Sequence, residues 1–326
     1  MAAFIALVAV YAFYPRSLPD YPATATNPSR LRINGLAQAG DRLVAVGESG
    51  HVLISDDGAK SWRDGTVLSG AGVTRVDSTL TNVRFLDKEL GFVVGHDGLV
   101  MRSTDEGASW TPVRFDEKYS DPLFDLCRSS TGTIVVVGSF GRLLTSTDKG
   151  DSFEQVDLDE TLPDGPHLND VACAGDGRVL AVGEFAQALR SRDGGATWEA
   201  LQLPYNGSLY GVVQATNERW IAFGMLGHVF TTDDFGDSWS EVKPGIETSL
   251  FGGLKLADGR VVLYGQGNTI LVSTNAGNSF RIEREGGRES LITALELAPD
   301  RLLFGGEKGI SEVTLGRPVA ALVGGQ

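Results

Sequence analysis

The chain is poor in the residues that cross-link, coordinate metals or bind nucleic acids. Its 326 residues include two cysteines and four histidines, and 28 lysines and arginines stand against 42 aspartates and glutamates, a net charge of −14. Two cysteines allow one disulfide at most, and no histidine or cysteine pair has metal-ligand spacing, so we expect neither a metal nor another cofactor. Nucleic acids and anionic membrane surfaces bind through lysine and arginine, so an acidic chain is a poor match for both.

Long hydrophobic runs are also scarce. The clearest is residues 1–14, which carry no charge but are shorter than the roughly 20 residues that span a bilayer. We interpret them as a signal peptide or an N-terminal membrane anchor, although no basic residue precedes the apolar stretch. Residues 15–30 then form a linker that can supply a closing strand. This interpretation predicts an exported protein, periplasmic or anchored to the inner membrane; a buried N-terminal strand or helix is the alternative.

Glycine is abundant and marks a repeat. There are 42 glycines, about twice the usual ~7 %. An octet with the pattern [ST]-x-[DN]-x-G-x-[ST]-[WF] occurs six times, and in the first copy the glycine comes one place early, at Gly58. The third and last residues of the six copies are Asp57 and Trp62, Asp105 and Trp110, Asp148 and Phe153, Asp193 and Trp198, Asp234 and Trp239, and Asn275 and Phe280. The resulting period of 41 to 48 residues is that of a four-stranded propeller blade.

Two further features bring the number of repeats to seven. A glycine-bounded turn, such as residues 94–98, precedes each octet, and a seventh turn near Phe304 has no octet behind it. An apolar strand opens each repeat, and these strands begin at Ile33, Leu80, Leu123, Leu168, Leu209, Leu250 and Leu291. The chain is therefore predicted to be all-β: a single seven-bladed β-propeller of four-stranded antiparallel blades over residues 31–326. The outer strand of the seventh blade must come from the segment before Ile33 or from residues 319–323.

The octet is the Asp-box, or BNR repeat, found in sialidases, other glycosidases, sorting receptors and photosystem II assembly-factor-like proteins. Six octets and seven glycine turns on compact repeats most resemble the photosystem II stability/assembly-factor-like propellers, over about residues 31–315. The resemblance implies a non-catalytic platform that helps to assemble a membrane protein complex, or that stands beside a membrane transporter in a non-photosynthetic bacterium. We interpret the octet residues themselves as structural, because their hydroxyls and carboxylates can hold the turn and their aromatic rings pack between sheets.

Propeller topology indicates where a partner would bind. The hairpins between second and third strands share one face with the loops between blades, opposite the octets. Residues at hairpin tips are usually polar. The tips of the third to fifth blades instead carry apolar residues, namely Phe140, Phe185, Met225 and Leu226. We interpret this apolar arc as a partner-binding patch, to which nearby loops add Phe115, Tyr119 and Tyr205. In the alternative, these side chains fold onto neighbouring hairpins and seal the mouth of the channel.

The same face carries an acidic loop, residues 154–167. It contains Asp157, Asp159, Glu160 and Asp164. They form either an acidic rim beside the patch or an ordinary solvated loop, and the sequence leaves both open.

An Asp-box glycosidase of sialidase type is the competing function. Such enzymes use a tyrosine nucleophile, assisted by a glutamate, an aspartate and three arginines, and Tyr210 is the tyrosine placed to face the channel. No glutamate and arginine set around it can be recognised in the sequence. We therefore expect no enzyme activity and no small-molecule ligand, but a monomeric propeller that binds a membrane protein complex or a transporter subunit.

The two cysteines fall on neighbouring inner strands. Cys127 and Cys173 are offset by one position relative to the starts of their strands, so alternation directs their side chains to opposite sides. On that basis we expect two buried free thiols rather than a bridge.

Overall fold

The computed structural model describes residues 27–69, 72–74, 76–116 and 120–316. These residues form seven sheets arranged in a ring, and the inner strands begin at the seven residues that the repeat predicts. The predicted signal peptide or anchor, residues 1–14, lies outside the described residues, as do most of the linker and the candidate closing segment 319–323. The described end of the linker is a short 3-10 helix, Pro28–Arg30, rather than a strand.

The first four blades are built as follows. Blade 1 consists of Ile33–Ala39, Arg42–Gly47, Val52–Ser55 and Arg63–Asp64. Blade 2 consists of Leu80–Phe85, Gly91–Gly95, Val100–Ser103 and Ser109–Arg114. Two further strands widen this sheet: Thr66–Ser69 pairs with the outer strand, and Gly72–Thr74 pairs with Thr66–Ser69. Blade 3 consists of Leu123–Arg128, Ile134–Gly138, Leu143–Ser146 and Glu154–Gln155. Blade 4 consists of Leu168–Cys173, Val179–Gly183, Gln187–Ser191 and Glu199–Gln202.

The remaining blades complete the ring. Blade 5 consists of Leu209–Gln214, Trp220–Gly224, Val229–Thr232 and Ser240–Val242. Blade 6 consists of Leu250–Lys255, Val261–Gly265, Ile270–Ser273 and Arg281–Arg284. Blade 7 has three strands within the described residues, Leu291–Ala298, Arg301–Gly306 and Gly309–Thr314. The ring closes where the backbone N–H of Leu36 in blade 1 donates to the Thr293 hydroxyl of blade 7, at 3.1 Å.

The core lies between blades. The second strand of each blade is the middle of its sheet, and strands such as Ile134–Gly138 are buried along their whole length because both faces meet a neighbouring blade. Each hydrophobic cluster accordingly combines two blades: Val135 and Val137 of blade 3 pack with Val171 and Val179 of blade 4. Alternating valine, leucine and isoleucine suit this two-sided burial.

In blades 1 to 6 the octet begins at the last residue of the third strand and forms the turn towards the outer strand. The recurring residues of the octet hold this turn by hydrogen bonds. In the second copy the Ser103 hydroxyl accepts from the N–H of Gly107 at 2.9 Å and donates to Asp105 at 2.8 Å. Asp105 in turn accepts from the N–H of Ser109 at 2.9 Å. In the first copy, where the glycine is displaced, Ala59 adopts the left-handed φ of 72° that the conserved glycine has elsewhere.

Each inner strand has a bulge at its second residue. The register shifts between Leu123 and Asp125 in blade 3, and the same shift occurs in all seven inner strands. The bulged residue points into the central channel, where Asn169 of blade 4 donates to the carbonyl of Leu209 in blade 5 at 2.8 Å. The bulges therefore link neighbouring blades around the channel as well as bending their strands.

The prediction of free cysteines was wrong. Cys127 and Cys173 form a disulfide between blades 3 and 4, with their Cα atoms 5.7 Å apart. Alternation does place the two side chains on opposite faces of their own sheets, but neighbouring blades pack by opposite faces. Ala172, one residue before Cys173, faces blade 5, whereas Cys173 faces blade 3. The one-residue offset therefore brings the two sulfur atoms together.

Among the described residues, no helix is both long enough and apolar enough to cross a membrane.

Candidate protein-binding face

The hairpins between second and third strands are tight turns in which two successive residues have positive φ. In blade 3 the N–H of Arg142 donates to the carbonyl of Ser139 at 3.0 Å, and φ is 53° at Phe140 and 66° at Gly141. This is the pattern of a type I′ turn, whose central positions favour asparagine, aspartate and glycine. Six blades use this turn, and the residues at its first central position are Ser49, Asp97, Phe140, Phe185, Leu226 and Gly267.

Blades 3, 4 and 5 therefore place large apolar residues at a position that disfavours them. A left-handed conformation costs roughly 1–2 kcal/mol for a residue with a side chain, and it is a genuine outlier for a bulky one. The exposed fraction is 67 % for Phe140, 63 % for Phe185 and 58 % for Leu226. The three side chains thus stand in water instead of sealing the channel mouth.

Phe115 extends this apolar surface to blade 2. It is 52 % exposed, and the next residue, Asp116, donates its backbone N–H to the carbonyl of Asp97 in the hairpin of blade 2. Of the five large hydrophobic side chains that are exposed among the described residues, four lie on this face, and the fifth, Ile282, lies on an outer strand of blade 6. We call Phe115, Phe140, Phe185 and Leu226 the apolar crest.

The crest stands on a hydrogen-bonded base. The backbone N–H of Phe140 donates to Nδ1 of His167 at 3.0 Å, and the two rings meet edge to face with centroids 4.7 Å apart. The N–H of His167 donates to the Glu184 carboxylate, at the hairpin of blade 4, at 3.0 Å. In that hairpin, Gln202 donates to the carbonyl of Phe185 at 2.9 Å. The hairpins of blades 3 and 4 are therefore held relative to each other.

Three other residues predicted to bind a partner have different surroundings. Tyr205 is half-buried: its hydroxyl donates to the carbonyl of Met225 at 3.3 Å and its ring lies 4.4 Å from that of His228. Met225 is also half-buried. Tyr205 is thus bonded to the hairpin that carries Leu226, and both residues offer less surface than Leu226 does. Tyr119 lies outside the described residues.

The central channel opens on the same face and holds a cavity of about 510 Å³. Asp125 is buried in its wall, where it accepts two hydrogen bonds from the guanidinium of Arg84, at 3.0 and 3.1 Å, and one from Asn82, at 2.6 Å. Asp170 of blade 4 faces Asp125 and accepts from the N–H of Val212 in blade 5 at 2.8 Å. This chain of contacts joins blades 2 to 5.

The pKa values of the two carboxyl groups are shifted in opposite directions. Burial would raise the pKa of Asp125, but the adjacent Arg84 charge and the hydrogen bonds hold it below its ordinary value. Burial, together with the negative charge of Asp125, raises the pKa of Asp170 well above its ordinary value. Of the two, Asp170 therefore holds its proton to the higher pH, which makes it the group suited to donate to Asp125.

Sequence reasoning missed this network, although a signal was present. The third residue of the inner strand is glycine in blades 1, 5 and 6 and threonine in blade 7, whereas blades 2, 3 and 4 carry Asn82, Asp125 and Asp170. Two acids and an amide at equivalent positions on three consecutive inner strands predict a polar contact between blades.

Tyr210 does face the channel, as predicted, and its ring packs against Phe251 with centroids 5.7 Å apart. Among the described residues that line the cavity there are two arginines, Arg32 and Arg84. Arg84 is committed to Asp125, and Arg32 donates to Asn34. A sialidase-type site needs three arginines to clamp a carboxylate, so this lining gives the glycosidase alternative no support.

Comparison with known proteins adds three kinds of similarity. The family model described as photosynthesis system II assembly factor YCF48 matches residues 72–243, just over half of the chain. Photosystem II assembly lipoprotein Ycf48 of Synechocystis sp. is 39 % identical over 57 residues, which is 18 % of this chain and 15 % of that relative. The chain thus aligns with well under two thirds of that relative's length.

Solved structures resemble nearly the whole chain. A structure of YCF48 bound to D1 peptide has a TM-score of 0.68 and 18 % identity, covering 93 % of this chain and 100 % of the other. YCF48 from Cyanidioschyzon merolae has a TM-score of 0.69 and 14 % identity, covering 89 % and 98 %. The WD40 propeller domain of Doa1 reaches 0.68 at 12 % identity, covering 91 % and 97 %. Because a functionally separate propeller scores equally well, these structural likenesses show the fold alone.

Proposed function

The chain belongs to the photosynthesis system II assembly factor YCF48 family, and on this premise we propose that it is a non-catalytic assembly factor that binds an exposed segment of a membrane protein. The apolar crest is the observation that carries the proposal. A photosystem II subunit is the partner that family membership favours. In a non-photosynthetic bacterium we propose a subunit of a membrane transporter in its place.

The crest supports binding because three of its residues carry two energetic costs in the unbound protein, backbone strain and exposed apolar surface. Phe140, Phe185 and Leu226 are held in a left-handed conformation, and their side chains are in contact with water. Strain of this kind concentrates at functional sites, and exposed aromatic residues are typical anchors of protein interfaces. A turn of asparagine and glycine would close the same hairpins without either penalty.

A peptide segment is the partner type that best suits this face. The structure of a family member bound to D1 peptide is a precedent for such a ligand in that protein. In the present chain the crest runs across four consecutive blades as a row of separate side chains. An extended segment can contact such a row one side chain at a time.

We also propose that the protein is exported, or tethered to the outer surface of the inner membrane. The disulfide between Cys127 and Cys173 supports this location, because disulfides persist in oxidising compartments and are rare in reducing ones. The uncharged apolar stretch of residues 1–14 would supply the export signal or the anchor. The Synechocystis sp. relative is named as a lipoprotein, which is consistent with tethering.

The test is affinity purification from detergent-solubilised membranes of the source organism. The wild type is compared with Phe140→Asp/Phe185→Asp and with a matched control, Ile282→Asp, which alters an exposed hydrophobic residue away from the crest. We expect the membrane protein partner to be captured by the wild type and the control but lost in the crest variant, with all three equally folded by circular dichroism. Equal capture by the crest variant would overturn the proposal.

A further inference from the structure

The acidic loop lies between two members of the apolar crest. Leu162 and Pro163 of this loop line two neighbouring grooves. The first groove, of about 450 Å³, is bounded by Phe140, and the second, of about 510 Å³, by Phe185. The loop is thus a ridge with a groove and a crest phenylalanine on each side.

The ridge is ordered by its own apolar residues. Leu158 and Leu162 are buried in the cluster between blades 3 and 4. The N–H of Leu162 donates to the carbonyl of Leu158 at 2.7 Å, and the N–H of Gly165 donates to that of Leu162 at 3.0 Å. The carboxylates between these anchors are therefore held in place on the ridge.

Four acidic residues lie on the ridge, and one of their carboxylates, that of Asp157, accepts from the backbone N–H of Asp159 at 3.0 Å. The four are Asp157, Asp159, Glu160 and Asp164, and all of them are exposed. Asp159 lines the groove of Phe140, and Asp164 lines the groove of Phe185. Across the chain described by the structure, no ion pair reaches any of the four.

The nearest cation on this surface is already engaged. Arg142 lines the first groove, but it donates to the carboxylate of Asp121 and to the side chain of Gln155. The other basic side chain beside Phe140, that of His167, accepts from the backbone N–H of Phe140 and lies beside Glu184. The second groove is thus mainly apolar, the first combines apolar residues such as Leu162 with polar side chains, and the ridge between them carries negative charge.

We propose that the crest binds a segment in which a lysine or arginine lies between two large apolar residues. The apolar residues occupy the grooves beside Phe140 and Phe185, and the basic residue lies on the ridge near Asp159 and Asp164. Charge complementarity decides the occupant, because like charges across an interface are unfavourable and a net charge of −14 adds to the attraction of a basic segment. This inference rests on the proposed function and specifies the chemistry of its partner.

The probe is a random dodecapeptide library displayed on phage and selected against the immobilised full chain. We expect the selected sequences to be enriched in lysine or arginine flanked by aromatic or aliphatic residues. The most enriched peptide is then synthesised with a fluorescent label, and its affinity is measured by anisotropy at 50 mM and 500 mM salt.

Two variants with equal changes in charge are compared. Asp159→Asn/Asp164→Asn neutralises the ridge and leaves the crest intact, whereas Asp41→Asn/Glu89→Gln neutralises two exposed acids in turns between first and second strands, on the opposite face. From the usual strength of exposed ion pairs we expect the ridge variant to bind roughly three- to tenfold more weakly at 50 mM salt. The difference should shrink at 500 mM, where charges are screened, and the control should bind like the wild type.

The outcomes separate this inference from the proposed function. Selection of neutral or acidic peptides, or unchanged affinity of the ridge variant, would overturn the basic segment but leave a crest-dependent partner in place. Loss of crest dependence in the membrane purification would instead overturn the proposed function. If a second copy of the chain is the occupant, sedimentation will show a dimer that the ridge variant disrupts, and the peptide proposal falls.

Discussion

The backbone N–H of Phe140 donates to the ring nitrogen Nδ1 of His167 at 3.0 Å, and this bond holds an exposed phenylalanine in a left-handed turn. Because Nδ1 accepts, the proton of the neutral ring is on Nε2. The same histidine is tied through its own N–H to Glu184 in the next hairpin. The orientation of Phe140 is thus determined by a residue of the inter-blade loop and not by its own turn alone.

Replacing the strained phenylalanine should make the protein more stable but less able to bind. Phe140→Asn places asparagine before Gly141, the pair that a type I′ turn prefers. We expect the free energy of unfolding in urea to rise by up to about 1 kcal/mol, since the left-handed strain is relieved. Capture of the membrane partner should fall in the same variant, the trade-off typical of functional positions.

The reverse change provides the control for that prediction. Ser49 occupies the equivalent position in blade 1, with φ of 54° and an exposed side chain. Ser49→Phe should lower the free energy of unfolding, because a bulky side chain is less compatible with positive φ than serine, without affecting partner capture. If Phe140→Asn proved less stable than the wild type, the phenylalanine ring would instead be contributing to the packing of the hairpin.

The disulfide should make a large contribution to stability. Cys127 and Cys173 are 46 residues apart, and the chain-entropy model gives up to about 4 kcal/mol for a loop of that length. We expect Cys127→Ser/Cys173→Ser to unfold at a clearly lower temperature in calorimetry. Adding dithiothreitol to the wild type should reproduce that decrease and leave the variant unchanged. Equal melting temperatures for oxidised and reduced wild type would contradict the prediction.

Much of the fold was predictable because each repeat carries its own turn chemistry. A serine, an aspartate and a glycine at fixed spacing specify an octet turn from neighbouring residues alone, and seven inner strands begin where the sequence places them. The exposed positions of Phe140 and Phe185 followed from the same logic, since a hairpin tip cannot bury a side chain in its own sheet.

What the sequence could not provide is the relation between blades. The disulfide was mispredicted because alternation within one strand says nothing about which face the next sheet presents. The contact between Asp125 and Asp170 depends on a bulge in each inner strand, which shifts the register of the residues that follow it. Both features result from packing between sheets, and the signal for the second, polar residues at equivalent positions of three inner strands, emerges only when the repeats are aligned with one another.

The octet aspartates should make the fold sensitive to acid. Hydrogen bonds from Ser61, Thr197 and Ser238 lower the pKa of Asp57, Asp193 and Asp234 to about 2 from the ordinary 3.8. The folded protein then binds fewer protons than the unfolded chain, so this stability is complete above about pH 4 and is lost as the pH falls towards 2. Unfolding in urea at pH 7, 4 and 3 measures the loss.

The sixth octet supplies the control for the acid prediction. There Asn275 accepts from the N–H of Ser279 at 3.0 Å and donates to the hydroxyl of Ser279 at 2.9 Å, so an amide is compatible with the turn. A variant with asparagine in place of Asp57, Asp193 and Asp234 should keep its fold and lose less stability than the wild type below pH 4. An equal loss in both proteins would mean that other carboxyl groups govern acid unfolding.

The buried pair in the channel wall gives the opposite pH dependence. Because the pKa of Asp170 is raised in the folded protein, the folded state binds more protons than the unfolded chain between pH 3.8 and the raised pKa. This group therefore reduces stability progressively as the pH rises towards its folded pKa. Asp170→Asn replaces the carboxyl by a neutral amide that can donate to Asp125 and accept from the N–H of Val212. We expect the variant to match the wild type near pH 4 and to be the more stable of the two at pH 7 in urea unfolding.

Asp125→Asn is the contrasting variant, since it removes the counter-charge of Arg84, and we expect it to be less stable at pH 7. If Asp170→Asn instead destabilised the protein at pH 7 but not at pH 4, Asp170 would be ionised in the folded state, and the network would contain two negative charges around Arg84.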